Sequence, residues 1–279
     1  MNSFRHKRVF ITGGSSGIGL ACAEAFVREG ASVCVIARRA KGVKSAVARL
    51  RMIAQGEATT IDPARIVGFS ADVASYRQLK SAYRKCRREQ GVPHILINCA
   101  GFSKPGYFER APLHHFYRQM ETNYYGAVHG VKAVLPDWIE RGEGGVIVNV
   151  ASVAGFMGVF GFAGYSASKF ALLGYSEALR QELKRFGVRV HVACPPDTDT
   201  PGLRAENAAK PHETAVLSAG ARQVTAPAVA ASVLRGVRKN YFMIFANLES
   251  RWLFAMSRLF PGLTRKLMDA MISRARKKT

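Results

Sequence analysis

Acidic side chains are scarce in this sequence. Asp and Glu number 19 against 41 Lys and Arg, a formal net charge of +22. An excess of this size draws polyanions (nucleic acid, anionic lipid, acidic carrier proteins, phosphorylated cofactors) and carries no information about fold. One local cluster, Arg84, Lys85, Arg87 and Arg88, reads as a solvated helix face, and nucleic acid is not expected as a partner. Paired cysteines are missing too. The five cysteines, Cys22, Cys34, Cys86, Cys99 and Cys194, are odd in number and form no CxxC pair. That argues against a disulfide framework and against a zinc site. The seven histidines are scattered, so no metal is expected. No uninterrupted apolar run approaches the roughly 18–20 residues needed to cross a bilayer. The polar stretch 1–7 leads straight into a strand without an apolar leader and cleavage site. A reducing, cytoplasmic setting is the expectation.

What is present is a chain of 279 residues, 48% apolar, enough to fill a sizeable core. Short apolar runs at 9–11, 31–37, 66–69, 94–99, 145–150 and 188–194 read as strands, with a further one near 242–245. Helical patterns separate them: one ending at Gly30, then 75–90, 113–138 and 164–186. Continuous apolar strands alternating with helices predict an α/β fold, a doubly wound parallel sheet covered on both faces. Residues 1–240 are assigned to this domain, including a substrate loop at 197–223, and 241–279 to a C-terminal appendage that is not an independent domain.

The turn after the first strand reads Gly13-Gly14-Ser15-Ser16-Gly17-Ile18-Gly19. Glycines there let the backbone approach a pyrophosphate, and a helix N-terminus offers free N–H groups and a positive dipole end. The second strand ends in Ala37-Arg38-Arg39, with no carboxylate to hold a ribose 2′-hydroxyl. Guanidinium groups suit a 2′-phosphate, so NADP(H) is the expected cofactor. Asp72 and Val73 follow the third strand and are placed at the adenine side. Asn98, Ala100 and Gly101 follow the fourth, on the carboxyl edge where a dinucleotide lies.

Tyr165 and Lys169 stand four apart at a helix start, on one face. A free phenol titrates near 10, and an adjacent ammonium would lower it. Ser152, at the end of the fifth strand, would be the second hydrogen-bond donor to a ketone. The TGGSSGIG turn, the Asn98-Cys99-Ala100-Gly101 segment, Asn123, Ser152 and the Tyr165–Lys169 pair together resemble the short-chain dehydrogenase/reductase family over about residues 6–200. The resemblance implies a Rossmann-type sheet of about seven strands. It also implies a catalytic tetrad of Asn123, Ser152, Tyr165 and Lys169, the asparagine holding a water that links the lysine to solvent. It places Pro195, Thr198 and Thr200 at the cofactor and implies a homodimer or homotetramer. Cys99 departs from the family's usual asparagine, at a position read as structural.

The loop Pro195-Pro196-Asp197-Thr198-Asp199-Thr200-Pro201-Gly202, followed by Lys210-Pro211-His212-Glu213-Thr214, resembles that of the 3-ketodihydrosphingosine reductases within the family. These reduce the ketone of 3-ketosphinganine to sphinganine with NADPH in sphingolipid biosynthesis, so the resemblance implies a long-chain amino-ketone substrate. One of Asp197, Asp199, Glu206 and Glu213 could pair with its ammonium, or all four could cap turns. Two other readings stand beside this one: reduction of another ketone, such as a 3-oxoacyl chain on a carrier protein or a steroid, and non-catalytic binding of lipid or nucleic acid. Beyond Tyr241, apolar and basic residues interleave around Pro261-Gly262. They predict two amphipathic helices, either lying on an anionic membrane or packed on the protein. The first option makes the protein peripheral on the cytoplasmic face.

Overall fold

A computed structural model describes residues 3–56, 61–219 and 222–277. Five central strands are built largely of Val, Ile and other residues that fit a buried pleat: β1 (Arg8–Thr12), β2 (Ser32–Ala37), β4 (Ile95–Asn98), β5 (Gly145–Val150) and β6 (Val188–Ala193). With β3 (Ile66–Ser70) and β9 (Met243–Ile244) they form one parallel sheet in the order β3-β2-β1-β4-β5-β6-β9. The order reverses between β1 and β4. Crossovers leave on opposite faces there, and a crevice opens at the carboxyl edge.

Helices α1 (Gly17–Arg28), α2 (Ala40–Gln55) and α9 (Ala226–Lys239) cover one face through a core that includes Phe26, Leu50 and Val233. On the other face, α3 (Tyr76–Gln90), α5 (Gly126–Arg141) and α6 (Ala163–Glu182) bury Leu79, Trp138 and Leu179. The seventh strand, β9, lies beyond residue 240, so the sheet takes its last strand from the segment assigned to the C-terminal appendage.

The single helix expected over 113–138 is interrupted. It consists of α4 (Leu113–Met120), a π-helical turn (Glu121–Tyr125) that carries Asn123, and α5. The inserted residue shifts the register within one turn whose buried residues, Thr122 and Asn123, are polar, so the apolar pattern does not mark it, although π turns gather at functional sites. The helix expected over 164–186 likewise ends early, at Glu182. A 3₁₀ turn, Leu183–Phe186, follows and stops at Gly187, whose φ of 68° is left-handed.

Between β6 and α9 the chain makes an excursion. Strand β7 (Thr198–Asp199) pairs in parallel with β8 (Val224–Thr225), and helices α7 (Pro201–Asn207) and α8 (His212–Ala219) lie between them. The expected substrate loop is therefore a small helical flap; residues 220 and 221 within it lie outside the described residues.

The two C-terminal helices expected on either side of the Pro-Gly break are α10 (Leu248–Leu259) and α11 (Pro261–Arg276). Their inner faces pack on the body. Phe254 meets Phe156 edge-on and Phe245 at a tilt, and Arg276 pairs with Glu213 of α8 at 3.3 Å. The basic tail residue Lys278 lies outside the described residues. Among the described residues, no helix is long and apolar enough to cross a membrane.

A polar chain crosses the core under the crevice. Asn98 Nδ2 donates to Asn149 Oδ1 (2.9 Å), and Asn149 Nδ2 donates to Ser176 Oγ (2.8 Å). All three residues are buried. The side chain of Asn98, expected at the cofactor, is thus turned into the sheet–helix core. It fits only because α5 has Gly130 above it, where a Cβ would stand 2.4 Å from Asn98 Oδ1. Removing Asn149 leaves Asn98 Nδ2 only the longer bond to Ala127 O (3.4 Å) and takes away the donor to the buried Ser176 Oγ. Asn149→Ala is expected to lower unfolding free energy by about 2–4 kcal/mol. Urea denaturation checks this, and a change below about 1 kcal/mol would show that the chain is not structural.

Candidate active site

The crevice floor begins at the glycine-rich turn. Gly13 (φ 72°) and Gly17 (φ 53°) adopt left-handed conformations that a side chain would strain. A Cβ on Gly19 would stand 2.3 Å from Gly13 O, so the turn closes only with glycine there. At the start of α1, Ser16 occupies the N-cap position but makes no side-chain capping bond, and the first turn holds no acidic residue. The N–H groups of Ile18 and its neighbours are left open toward the crevice, which fits the pyrophosphate of a nicotinamide dinucleotide.

Thr12 is a residue that the sequence reading passed over. Its Oγ1 accepts from Cys99 N (3.3 Å) and Ala100 N (3.4 Å), tying the end of β1 to the segment after β4. A hydroxyl just before a glycine turn was the available signal.

Beyond β2, Arg38 and Arg39 are both exposed. Among the described residues neither has an ion-pair partner, although 12 ion pairs occur elsewhere. Two unpaired guanidinium groups at this edge fit a phosphate. The Asp72 carboxylate accepts from Ala74 N (3.0 Å) and shapes the turn after β3, and Val73 is buried next to it.

The other side of the crevice carries the expected catalytic groups. Ser152 caps a 3₁₀ turn directly after β5, its Oγ accepting from Ala154 N at 3.2 Å. Tyr165 and Lys169 come from the first turns of α6. Lys169 Nζ donates to Val150 O at 2.8 Å and lies 5.7 Å from the centre of the Tyr165 ring. Asn123 does not bond Lys169. Its Nδ2 donates to Phe102 O and Ser168 Oγ (both 2.9 Å), and its Oδ1 accepts from Phe102 N (3.0 Å). Gly101 fills the space between them: a Cβ there would stand 3.1 Å from Asn123 Oδ1 and 3.4 Å from Lys169 Nζ. The four expected residues are therefore brought together at one edge of the sheet.

Electrostatics depart from expectation at Tyr165. Burial pushes its phenol above the ordinary range, and the Glu206 carboxylate pushes in the same direction; the Ser152 hydroxyl, within hydrogen-bonding reach, pulls it back. Lys169 was expected to lower the phenol, but its ammonium is turned to a backbone carbonyl and burial dominates. The same burial brings Lys169 down to about 8. Cys99, where the family has asparagine, is pushed up to about 12 by burial and remains a thiol.

The flap closes over both halves. Thr200 Oγ1 caps α7 by accepting from Leu203 N (3.1 Å), and a Cβ on Gly17 would stand 3.1 Å from Thr200 Cγ2. Thr198 Oγ1 donates to Pro196 O (2.8 Å), and Pro195 O accepts from Val153 N (3.1 Å), joining the flap's root to the Ser152 turn.

A 3-ketodihydrosphingosine reductase of Dictyostelium discoideum is 35% identical over 92% of the chain and 79% of its own length. The mouse 3-ketodihydrosphingosine reductase is 41% identical over 75% of the chain, and the aligned part is 62% of its length, so the chain spans less than two thirds of that relative. Among solved structures, an actinorhodin polyketide ketoreductase with NADPH is similar at a TM-score of 0.73 and 30% identity, covering 84% of this chain and 91% of its own. A short-chain dehydrogenase/reductase from Burkholderia phymatum in complex with NAD reaches a TM-score of 0.80 over 94% and 96% of the two chains; at 24% identity it speaks for the fold alone. A family profile described as short chain dehydrogenase matches residues 7–211, the span that holds both halves of the crevice, and the chain belongs to that family.

Proposed function

We propose that this protein reduces the ketone of 3-ketosphinganine to sphinganine with NADPH. The observation that carries the chemistry is the meeting of Ser152, Tyr165 and Lys169 beside an open helix N-terminus. The relatives' names, together with the flap sequence, carry the substrate.

A nicotinamide cofactor held on the glycine turn would supply the hydride for the ketone carbon. Ser152 and Tyr165 donate hydrogen bonds to the ketone oxygen and fix its direction. As negative charge gathers on that oxygen, Tyr165 gives up its phenolic proton, and the product is an alcohol. Its raised proton affinity keeps the phenol protonated at neutral pH, as a donor requires. The Lys169 ammonium, held by Val150 O, then faces the phenolate and stabilises it; with a pKa near 8, it can also return a proton. Asn123 holds Gly101 and Phe102 in place against Lys169. Arg38 and Arg39 take the 2′-phosphate, which selects NADPH over NADH.

The outer face of the C-terminal helices supports peripheral binding to an anionic membrane. Leu263, Leu267 and Met271 form one exposed stripe along α11, flanked by Arg265, Lys266 and Arg274, and Trp252 projects from α10. A lipid-delivered alkyl chain makes such a landing face useful. Leu113 and Tyr117, exposed along α4 beside the site, support association of the chain with copies of itself.

Four outcomes are expected. The protein should oxidise NADPH in the presence of 3-ketosphinganine in mixed micelles. Tyr165→Phe should slow this by about a hundred- to ten-thousandfold while cofactor binding, followed by NADPH fluorescence, persists; a surviving rate would remove Tyr165 as the proton donor. Replacing Arg38 and Arg39 together by Asp should reduce kcat/KM for NADPH by about 100-fold or more with little loss for NADH. Equal losses on both cofactors would count against phosphate recognition. In flotation with phosphatidylserine vesicles, the wild type should rise with the lipid and release at high salt, and Leu263→Glu/Leu267→Glu should stay in solution. Unchanged flotation of the double variant would place the lipid contact elsewhere.

A further inference from the structure

The flap carries four carboxylates in an otherwise basic protein, and the structure separates them. Asp197 pairs with Lys210 at 3.3 Å, Asp199 with Arg204 at 2.7 Å and Glu213 with Arg276 at 3.3 Å. Glu213 also accepts from the Tyr107 hydroxyl at 2.9 Å. Among the described residues, Glu206 alone of the four has no ion-pair partner, although the chain has more than twice as many basic as acidic residues. Nor is it simply solvated, because it is half-buried at the last turn of α7.

Among the charges acting on the Tyr165 hydroxyl, that of Glu206 is the largest, and it is felt at Lys169 as well. On the opposite wall lies Ser103, a short step from the segment that Asn123 holds. Ser103 is about nine-tenths buried, and its hydroxyl lies beside Glu206 without a well-formed hydrogen bond. A buried hydroxyl without a well-formed partner and a carboxylate without an ion pair thus lie together, near enough for the carboxylate's charge to act on the Tyr165 hydroxyl. A carboxylate kept partly out of water without a directly paired cation is unfavourable, and burial raises its pKa even against the pull of the Ser103 hydroxyl and the Lys210 and Lys169 ammonium groups. A cationic ligand relieves that cost.

We propose that Glu206 recognises the ammonium group of the amino-ketone substrate, one carbon from the ketone that Ser152 and Tyr165 hold. This rests on the substrate class proposed above, and it makes Glu206 the specificity-determining residue for that class. The ion pair fixes which end of a long, otherwise featureless chain enters, and so sets the ketone against the two donors. It also has an effect on the chemistry. Glu206 alone makes the phenol of Tyr165 a poorer acid; an ammonium beside it cancels that charge, so the proton becomes easier to give once the correct substrate is seated. A neutral ketone leaves the charge uncancelled.

The test compares 3-ketosphinganine with its deaminated analogue, 1-hydroxyoctadecan-3-one, in wild type and Glu206→Gln. The wild type should prefer the amino ketone by about 10- to 100-fold in kcat/KM. Glu206→Gln should lose that preference through a higher KM for the amino ketone, while the deaminated ketone is reduced as well as before or better. Asp199→Asn removes a charge from the same flap and should keep the preference. NADPH binding and thermal melting check that α7 is intact. Glu206→Asp, which keeps the charge on a shorter arm, should retain part of the preference and serves if the amide perturbs folding. A preference that survives in Glu206→Gln, or an equal loss on both ketones, overturns the inference while leaving the proposed function standing. A wild type that binds NADPH but reduces neither ketone overturns both.

Discussion

One buried hydrogen bond organises the catalytic half of the molecule: the Lys169 ammonium against the carbonyl of Val150. It joins the first turns of α6 to the last residue of β5, and through that joint Tyr165 comes to lie over Ser152 at the sheet edge. An ammonium out of water must be satisfied, so the bond fixes the lysine's position more firmly than packing alone would. It also explains why the phenol escapes the lysine's full influence. The charge is directed at the backbone, and the desolvation of the site sets the proton affinities of both groups.

The scarcity of acid has a structural counterpart in the flap. Three of its carboxylates are consumed in ties that hold the excursion together: Asp197 to Lys210, Asp199 to Arg204, and Glu213 to the C-terminal helix. The last of these links α8 to α11, so the element whose outer face is apolar and basic also grips the flap from behind. Against so many cations, a carboxylate without a partner is conspicuous, and the one that remains lies beside the reacting atoms.

Much of this could be read from the chain. The glycine turn, the Tyr165–Lys169 spacing and the serine at a strand end are local patterns, and local patterns survive in sequence. The parallel sheet followed from continuous apolar strands, including a seventh from a run of four residues. What could not be read depends on contacts between distant segments. The π turn at Asn123 buries two polar residues, Thr122 and Asn123, so the apolar pattern that reveals the flanking helices does not reveal it. Asn98 sits at the expected strand end, but its side chain turns inward because Gly130, far along the chain, leaves room for it. Which flap carboxylate is unpaired depends on basic residues up to 63 positions away. The C-terminal segment was left open between packing and exposure, and the structure divides it by face.

The flap meets itself through a single ladder of two residue pairs, Thr198 with Val224 and Asp199 with Thr225. Proteins open in cooperative units, and a unit fastened by so few backbone bonds lies at the low end of the free-energy scale. What keeps the flap shut is therefore its side-chain ties: Asp197 to Lys210, Glu213 to Arg276 and the Thr214 hydroxyl to Phe160 O.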